Sequence, residues 1–280
     1  MATFVKNIAL IFKNAYLVFS KSGKYILLVS LIIGTPRAAI MFFRPDANVF
    51  PIIADLFSLE SVGFIPVFFN MLFMILGNLI IMSFVFISRQ TVDGDDIYLS
   101  DVLKKTFHKL PALIVTTVIF YILLAIVIAG VLLVFVTEPI LPFTASNRLR
   151  YGTRFFAFLG SIIFACAGLF YPMIVADRNE WGFSSFMRAL YLVYHDTGGF
   201  LGVFTHTVKM LMVFLIWGGA SFGASVALSH MLDSVIYIFP NPATLLAGIV
   251  VFHLLLEVIL AYFALVAVMY YMQLDYYSDD

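Results

Sequence analysis

Long apolar runs separated by short polar segments dominate the chain. Because a helix needs about 20 apolar residues to cross the hydrocarbon of a bilayer, six of these runs predict membrane-spanning helices. The predicted spans are residues 25–43, 64–88, 112–136, 155–176, 200–228 and 244–272. The pattern therefore predicts an all-α polytopic membrane protein, with residues 1–280 forming a single integral membrane domain.

The segments ahead of the first, third and fifth spans carry polar residues at helical spacing. In residues 4–21, polar pairs recur every seven positions, which places them in one narrow stripe on an apolar helix. Residues 99–110 and 183–196 show comparable patterns. Such helices are typical of the membrane interface. We therefore expect three amphipathic interfacial helices.

Each predicted interfacial helix is followed by a short break and a hairpin of two spans. This unit recurs over about residues 1–88, 98–176 and 183–274, and recurrence of this kind indicates duplicated units around a shared core. The units share a pattern rather than residue identity. The alternative is that any loop ahead of a span can have an amphipathic pattern.

The spacing also predicts which faces of the second and third interfacial helices are apolar. On the second helix, the shared apolar face comprises Leu99, Leu103, Phe107 and Leu110. On the third, the polar stripe comprises Ser184, Arg188, Tyr191 and His195, opposite Phe186, Leu190 and Val193.

The composition is typical of a membrane protein and disfavours several classes of function. Hydrophobic residues make up 63% of the chain and charged residues 11%, whereas soluble domains carry roughly 25% charged residues. The net charge of zero disfavours a nucleic-acid partner. The single cysteine, Cys166, excludes a disulfide framework and a cysteine-rich metal site. We expect no metal, no cofactor and no enzymatic activity.

Charge asymmetry predicts the orientation. Six spans place both termini on one side, which holds ten cations against five on the other. The positive-inside rule then puts both termini in the cytoplasm, as expected for a multi-pass protein of a bacterial cytoplasmic membrane. The arginine cluster Arg148, Arg150 and Arg154 argues for the opposite orientation.

Glu257 is the main candidate for a functional site, because an ionisable group within a span is costly to bury. His253 lies one turn earlier, and Lys209 and His206 lie in the first half of the fifth span. Together they could form a proton or substrate relay. The alternative is a structural buried pair, or a Lys209 side chain that extends to the interface.

Two further features have competing interpretations. Arg37 follows Pro36, and a broken helix beside a charge can mark a transport site; alternatively, the first span ends near Gly34. The stretch from Gly219 to Gly223 contains the letters of a serine-hydrolase elbow, which needs a strand–turn–helix context. Within an apolar helix, a close-packing face is the better interpretation. That face comprises Gly219, Gly223, Ala220 and Ala224.

The three-fold pattern of amphipathic helix plus hairpin, over nearly the whole chain and with residues 171–194 as its clearest part, resembles a bacterial family of multi-pass membrane domains. The sequence YPMIVADRNEWG is similar to the exit of a span in that family, and FSSFMRALYLVY is similar to its interfacial helix. The family includes domains fused to glycerophosphodiester phosphodiesterases and free-standing relatives of unknown function. This chain lacks the family's basic, tryptophan-containing form of the helix. It also lacks a phosphodiesterase domain, so the resemblance implies the fold and no catalytic residues.

Two functions remain open from the sequence. One is a non-enzymatic membrane subunit or scaffold that acts with a protein partner or as a homo-oligomer in the lipid bilayer. The other is a transporter or permease for a small or lipidic substrate, with Glu257 at its midplane site.

Overall fold

A computed structural model describes residues 2–43, 64–136, 170–194 and 264–274, together with single positions at 168 and from 208 to 262. All regular structure in these ranges is helical. The helices are α1 (Ala2–Phe43), α2 (Phe64–Asp93), α3 (Leu99–His108), α4 (Leu110–Val136), α5 (residues 170–177), α6 (Phe183–Tyr194) and α7 (Ala264–Leu274).

Three of these helices are long and apolar enough to cross a membrane. The qualifying segments are Ala9–Pro36, Met71–Asp93 and Leu110–Val127. They confirm the all-α class and support a membrane environment. The predicted fourth and fifth spans fall mostly outside the described residues, and the sixth is described in part, so the six-span hairpin layout stays a prediction.

The break predicted between the first interfacial helix and the first span is wrong. Helix α1 continues without interruption through Ser22 and Gly23 for 42 residues. The Ser22 hydroxyl is within hydrogen-bond distance of the Thr91 hydroxyl on α2, so this polar position serves a helix contact and not a turn. At about 1.5 Å per residue, α1 measures about 63 Å, roughly twice the hydrocarbon thickness.

The helix break predicted beside Arg37 is also wrong, because α1 continues past Pro36 to Phe43. The alternative, that the first span ends near Gly34, stays a prediction. Proline removes one backbone donor from a helix. In an apolar environment, however, ending the helix there would leave several backbone groups without partners. The neighbouring Thr35 hydroxyl donates to Leu31 O at 2.6 Å, a local bond of the kind that accompanies a bend.

The second predicted unit is closer to expectation. Helix α2 ends at Asp93, and Gly94 has a φ of 80°, which favours glycine. A short loop leads into α3, and Lys109 then joins α3 to α4 with αR geometry. Pro111 lies in the first turn of α4, where its missing N–H costs nothing. Helices α3 and α4 are therefore almost continuous.

Side chains from α1, α2, α5 and α7 form the core. The largest fully buried ones include Phe84, Phe170, Tyr171 and Tyr271. The ring centroids of Phe170 and Tyr271 lie 6.3 Å apart. This contact packs the beginning of α5 against the last turns of α7.

The observed faces of α3 and α6 differ in part from the predicted ones. On α3, Val102 and Thr106 are the buried residues and Phe107 is exposed. On α6, Phe186 is buried and Tyr191 exposed as predicted. The inward face of α6 also includes Ser185, Ala189 and Leu192, and its exposed face carries the apolar side chains of Phe183 and Met187.

Candidate functional site

Three residues join the ends of three helices through an ion pair and a hydrogen bond. We call them the rim cluster: Arg89, Asp177 and Tyr271. The Arg89 guanidinium on α2 binds both carboxylate oxygens of Asp177 at the end of α5, with Nε 3.3 Å from Oδ1. The Tyr271 hydroxyl on α7 donates to Asp177 Oδ2 at 3.1 Å. The side chains of Arg89 and Asp177 are 36% and 18% exposed, so the pair is only partly desolvated.

A second, uncharged set of side chains lies deeper and is called here the inner cluster: Asn78, Thr117 and Tyr171. Asn78 Nδ2 donates to the Tyr171 hydroxyl, which lies 3.1 Å from Thr117 Oγ1. Asn78 precedes Arg89 by eleven residues, about 16 Å along α2. The inner cluster therefore links α2, α4 and α5 below the rim.

Paired hydroxyls make two further links between helices. Ser83 donates to Leu79 O on its own helix, α2, which leaves Thr106 of α3 to donate to Ser83 across 3.0 Å. Thr91 likewise donates to Ile87 O, so Ser22 of α1 is the donor to Thr91. These bonds hold α1 and α3 against α2.

The turn from Asp177 to Gly182 runs beside the beginning of α4. Lys109 Nζ donates to Asn179 Oδ1, and Gly182 N donates to Thr116 Oγ1 at 2.7 Å. Asn179 and Gly182 have φ values of 60° and 68°, which asparagine and glycine tolerate better than other residues. The two contacts fix the height of this turn along α4.

The chemistry available to these groups is structural. Each polar group of the rim and inner clusters is engaged by another helix, and neither cluster includes a serine, cysteine or histidine placed as a nucleophile with a base. In the part of the chain that the structure describes, no group of three or more histidine, cysteine or acidic residues could hold a metal ion.

The site residues predicted from the sequence are not brought together by the described structure. The backbone of Arg37 lies within α1, but its side chain is outside the described residues, as are Glu257, His253, Lys209 and His206. The relay therefore stays a prediction.

The predicted close-packing face is described only at Gly223, since Gly219, Ala220 and Ala224 lie outside the described residues. Gly223 is helical and exposed. No described residue lies within 4 Å of the position that its Cβ would take. Its packing role stays a prediction.

The rim cluster was missed because Arg89 and Asp177 lie at span ends, where charges are ordinarily solvated. A signal was nevertheless present. Each residue of the rim cluster lies near the end of the second span of a different predicted unit: Arg89 in the first, Asp177 in the second and Tyr271 in the third. Equivalent positions in repeated units tend to meet around a shared core.

No family model, curated protein or solved structure matches this chain.

Proposed function

We propose that the protein is a multi-pass membrane subunit or scaffold that acts with a protein partner and performs no catalysis. The observation that carries the proposal is the engagement of polar side chains at the described span ends and deeper between the helices. Arg89, Asp177, Asn78 and Tyr171 are bonded to other helices of the same chain. Such groups stabilise an arrangement of helices, and in these two clusters no reactive group is directed at a substrate.

We assign the binding of this partner to the outer face of α3. Asp101, Lys104, Lys105 and His108 are all exposed there, while Val102 and Thr106 fix the helix against the protein. A rigid helix with an exposed charged face suits recognition of a charged partner. In the proposed six-span topology, this face and both termini are cytoplasmic.

The three-hairpin layout and the resemblance to the phosphodiesterase-associated membrane domains belong to the same proposal. The almost continuous α3–α4 pair, followed by the ordered turn after α5, supports one hairpin unit in the middle of the chain. The family likeness accounts for a membrane domain that can work beside a separate catalytic protein.

Co-purification in mild detergent tests the proposal. We expect Lys104→Glu/Lys105→Glu to reduce recovery of the partner at least about tenfold, because two exposed charge reversals at an interface slow association and oppose binding. Asp95→Lys/Asp96→Lys is the matched control, since both acids are exposed in the adjoining loop. Recovery should be preserved in that control and in Glu257→Gln.

Equal recovery of the partner in wild type and Lys104→Glu/Lys105→Glu would overturn the docking role of α3. If Glu257→Gln reduced recovery more than the α3 variant does, the span interior would matter more than the outer face. That result would favour the transporter hypothesis.

A further inference from the structure

Helix α6 presents an apolar stripe to its surroundings. Phe183, Met187 and Tyr191, spaced four residues apart, are 54%, 48% and 41% exposed, and Trp181 just ahead of the helix is 59% exposed. Residues at this spacing share one helix face. Two large aromatic rings and a methionine thus form a continuous outward surface beside Trp181.

The contacts of the preceding turn place this surface at a defined height. Asn179 is bonded to Lys109 at the beginning of α4, and Gly182 is bonded to Thr116 seven residues further along. Trp181 therefore lies within the first ~10 Å of α4. Tryptophan and tyrosine are enriched at this level of membrane proteins, where a bilayer changes from headgroup to hydrocarbon.

The neighbouring surface of α4 is aliphatic. Ile114, Val115, Val118 and Ile122 are exposed on its first four turns, as expected of a helix side that faces acyl chains. The α6 stripe begins beside this surface, at the level of Thr116. The same lipid layer that covers α4 is thus positioned to cover Trp181 and Phe183.

Two arginines lie beside the stripe. Arg188 lies 4.9 Å from the centre of the Tyr191 ring, and Arg178 is in the turn before Trp181. Basic residues at the end of a span favour anionic headgroups. The nearby Asp177 is already paired with Arg89.

We propose that the turn at 178–182 and the exposed stripe of α6 bind an anionic phospholipid. Its phosphate lies beside Arg178 and Arg188, and its upper acyl chain lies along Trp181 and Phe183. This inference rests on the membrane placement proposed above, and it commits to a lipid and not to a protein as the occupant of the stripe.

Fluorescence quenching of Trp181 tests the lipid contact. The second tryptophan is removed with Trp217→Phe, and the full-length protein is reconstituted in vesicles of phosphatidylcholine brominated either high or low on the acyl chain. We expect strong quenching of Trp181 by the high bromine and weak quenching by the low one. Absence of quenching by either lipid would overturn the proposal, as expected if a protein or water covers the stripe.

A tryptophan on α4 separates failure of the site from failure of the membrane placement. In the Trp181→Phe/Trp217→Phe background, Ile122→Trp should be quenched because Ile122 faces outward from α4. Quenching of this probe without quenching of Trp181 would reject the lipid site alone. Loss of quenching at both positions would reject the membrane placement as well.

Headgroup selectivity tests the cations. Brominated phosphatidylglycerol should quench Trp181 at a lower mole fraction than brominated phosphatidylcholine, and Arg178→Gln/Arg188→Gln should weaken that preference by about fivefold per charge. Lys24→Gln on α1, whose ammonium lies over Tyr25, is the control and should retain the preference. Equal quenching by the two headgroups in wild type would overturn the anionic specificity.

Discussion

The rim and inner clusters use different physical means to join the same helices. The rim cluster relies on a carboxylate and a guanidinium that remain partly open to solvent. The inner cluster relies on an amide and two hydroxyls among residues that are almost completely buried. The comparison indicates that charge is kept at the end of the bundle, where desolvation is incomplete.

The depth of each cluster within the protein explains why the charged groups lie at the rim and the neutral groups lie inside. An ion pair moved to the level of Asn78 would lose its hydration, and the cost of burial could exceed the attraction between the charges. Neutral groups pay a smaller desolvation cost and contribute roughly 0.6 kcal/mol per interhelical bond in membranes. The partly hydrated rim can hold a charged pair, and the interior is suited to a neutral one.

The largest effect is expected at the centre of the rim cluster. Asp177→Ala leaves Arg89 and Tyr271 without their shared acceptor. We expect a loss of about 2 kcal/mol in the free energy of unfolding, below the roughly 3–5 kcal/mol typical of a fully buried pair because Arg89 is partly solvated. Equilibrium unfolding in mixed micelles measures it.

The double variant Arg89→Met/Asp177→Leu is the corresponding control. It removes both charges and leaves neither buried alone, so its loss in stability should be smaller than that of Asp177→Ala. Equal or greater loss in the double variant would show that the charged pair itself, and not the avoidance of a lone charge, stabilises the rim.

The next largest loss of stability is expected from disturbing the close packing around the inner cluster. A Cβ at Gly168 would overlap the Phe120 ring, and the centroid of that ring lies 5.3 Å from the Tyr171 centroid. We expect Gly168→Ala to cost about 1.5 kcal/mol, because the ring must move in a packed interior. Thermal unfolding in detergent measures the change.

Gly130→Ala is a matched control, because a Cβ there would meet no described residue within 4 Å. Alanine also favours helix over glycine, so this variant should be neutral or slightly more stable. If both alanine variants behaved alike, contact between Gly168 and Phe120 would not support the inner cluster.

The sequence was sufficient to predict the helical class, α2 and the α3–α4 pair. Their signals are local: apolar run length for the spans, and Pro111 next to a short amphipathic stretch for the junction. The bounds of α3 and α6 differ from prediction by only a few residues at the C-terminal end. Local hydrophobic pattern and proline chemistry were enough for these elements.

The continuity of α1 and the two clusters could not be predicted in this way. The polar residues Lys21, Ser22 and Lys24 around Gly23 indicate a break when considered alone, but the structure pairs Ser22 with Thr91 on another helix. The bond from Asn78 to Tyr171 joins residues that are distant in sequence, so local spacing does not reveal it. Tertiary partners decided the role of each residue.

The smallest effect is expected from removing one hydroxyl of the inner cluster. Tyr171→Phe keeps the ring packing and deletes the acceptor of Asn78 Nδ2. We expect a cost of about 1 kcal/mol in the free energy of unfolding, since one buried amide donor loses its partner. Tyr98→Phe, at an exposed position, should leave stability unchanged. If Tyr171→Phe destabilised the protein more than Asp177→Ala does, the neutral inner cluster would be the stronger link, and depth rather than charge would determine how firmly these helices are held.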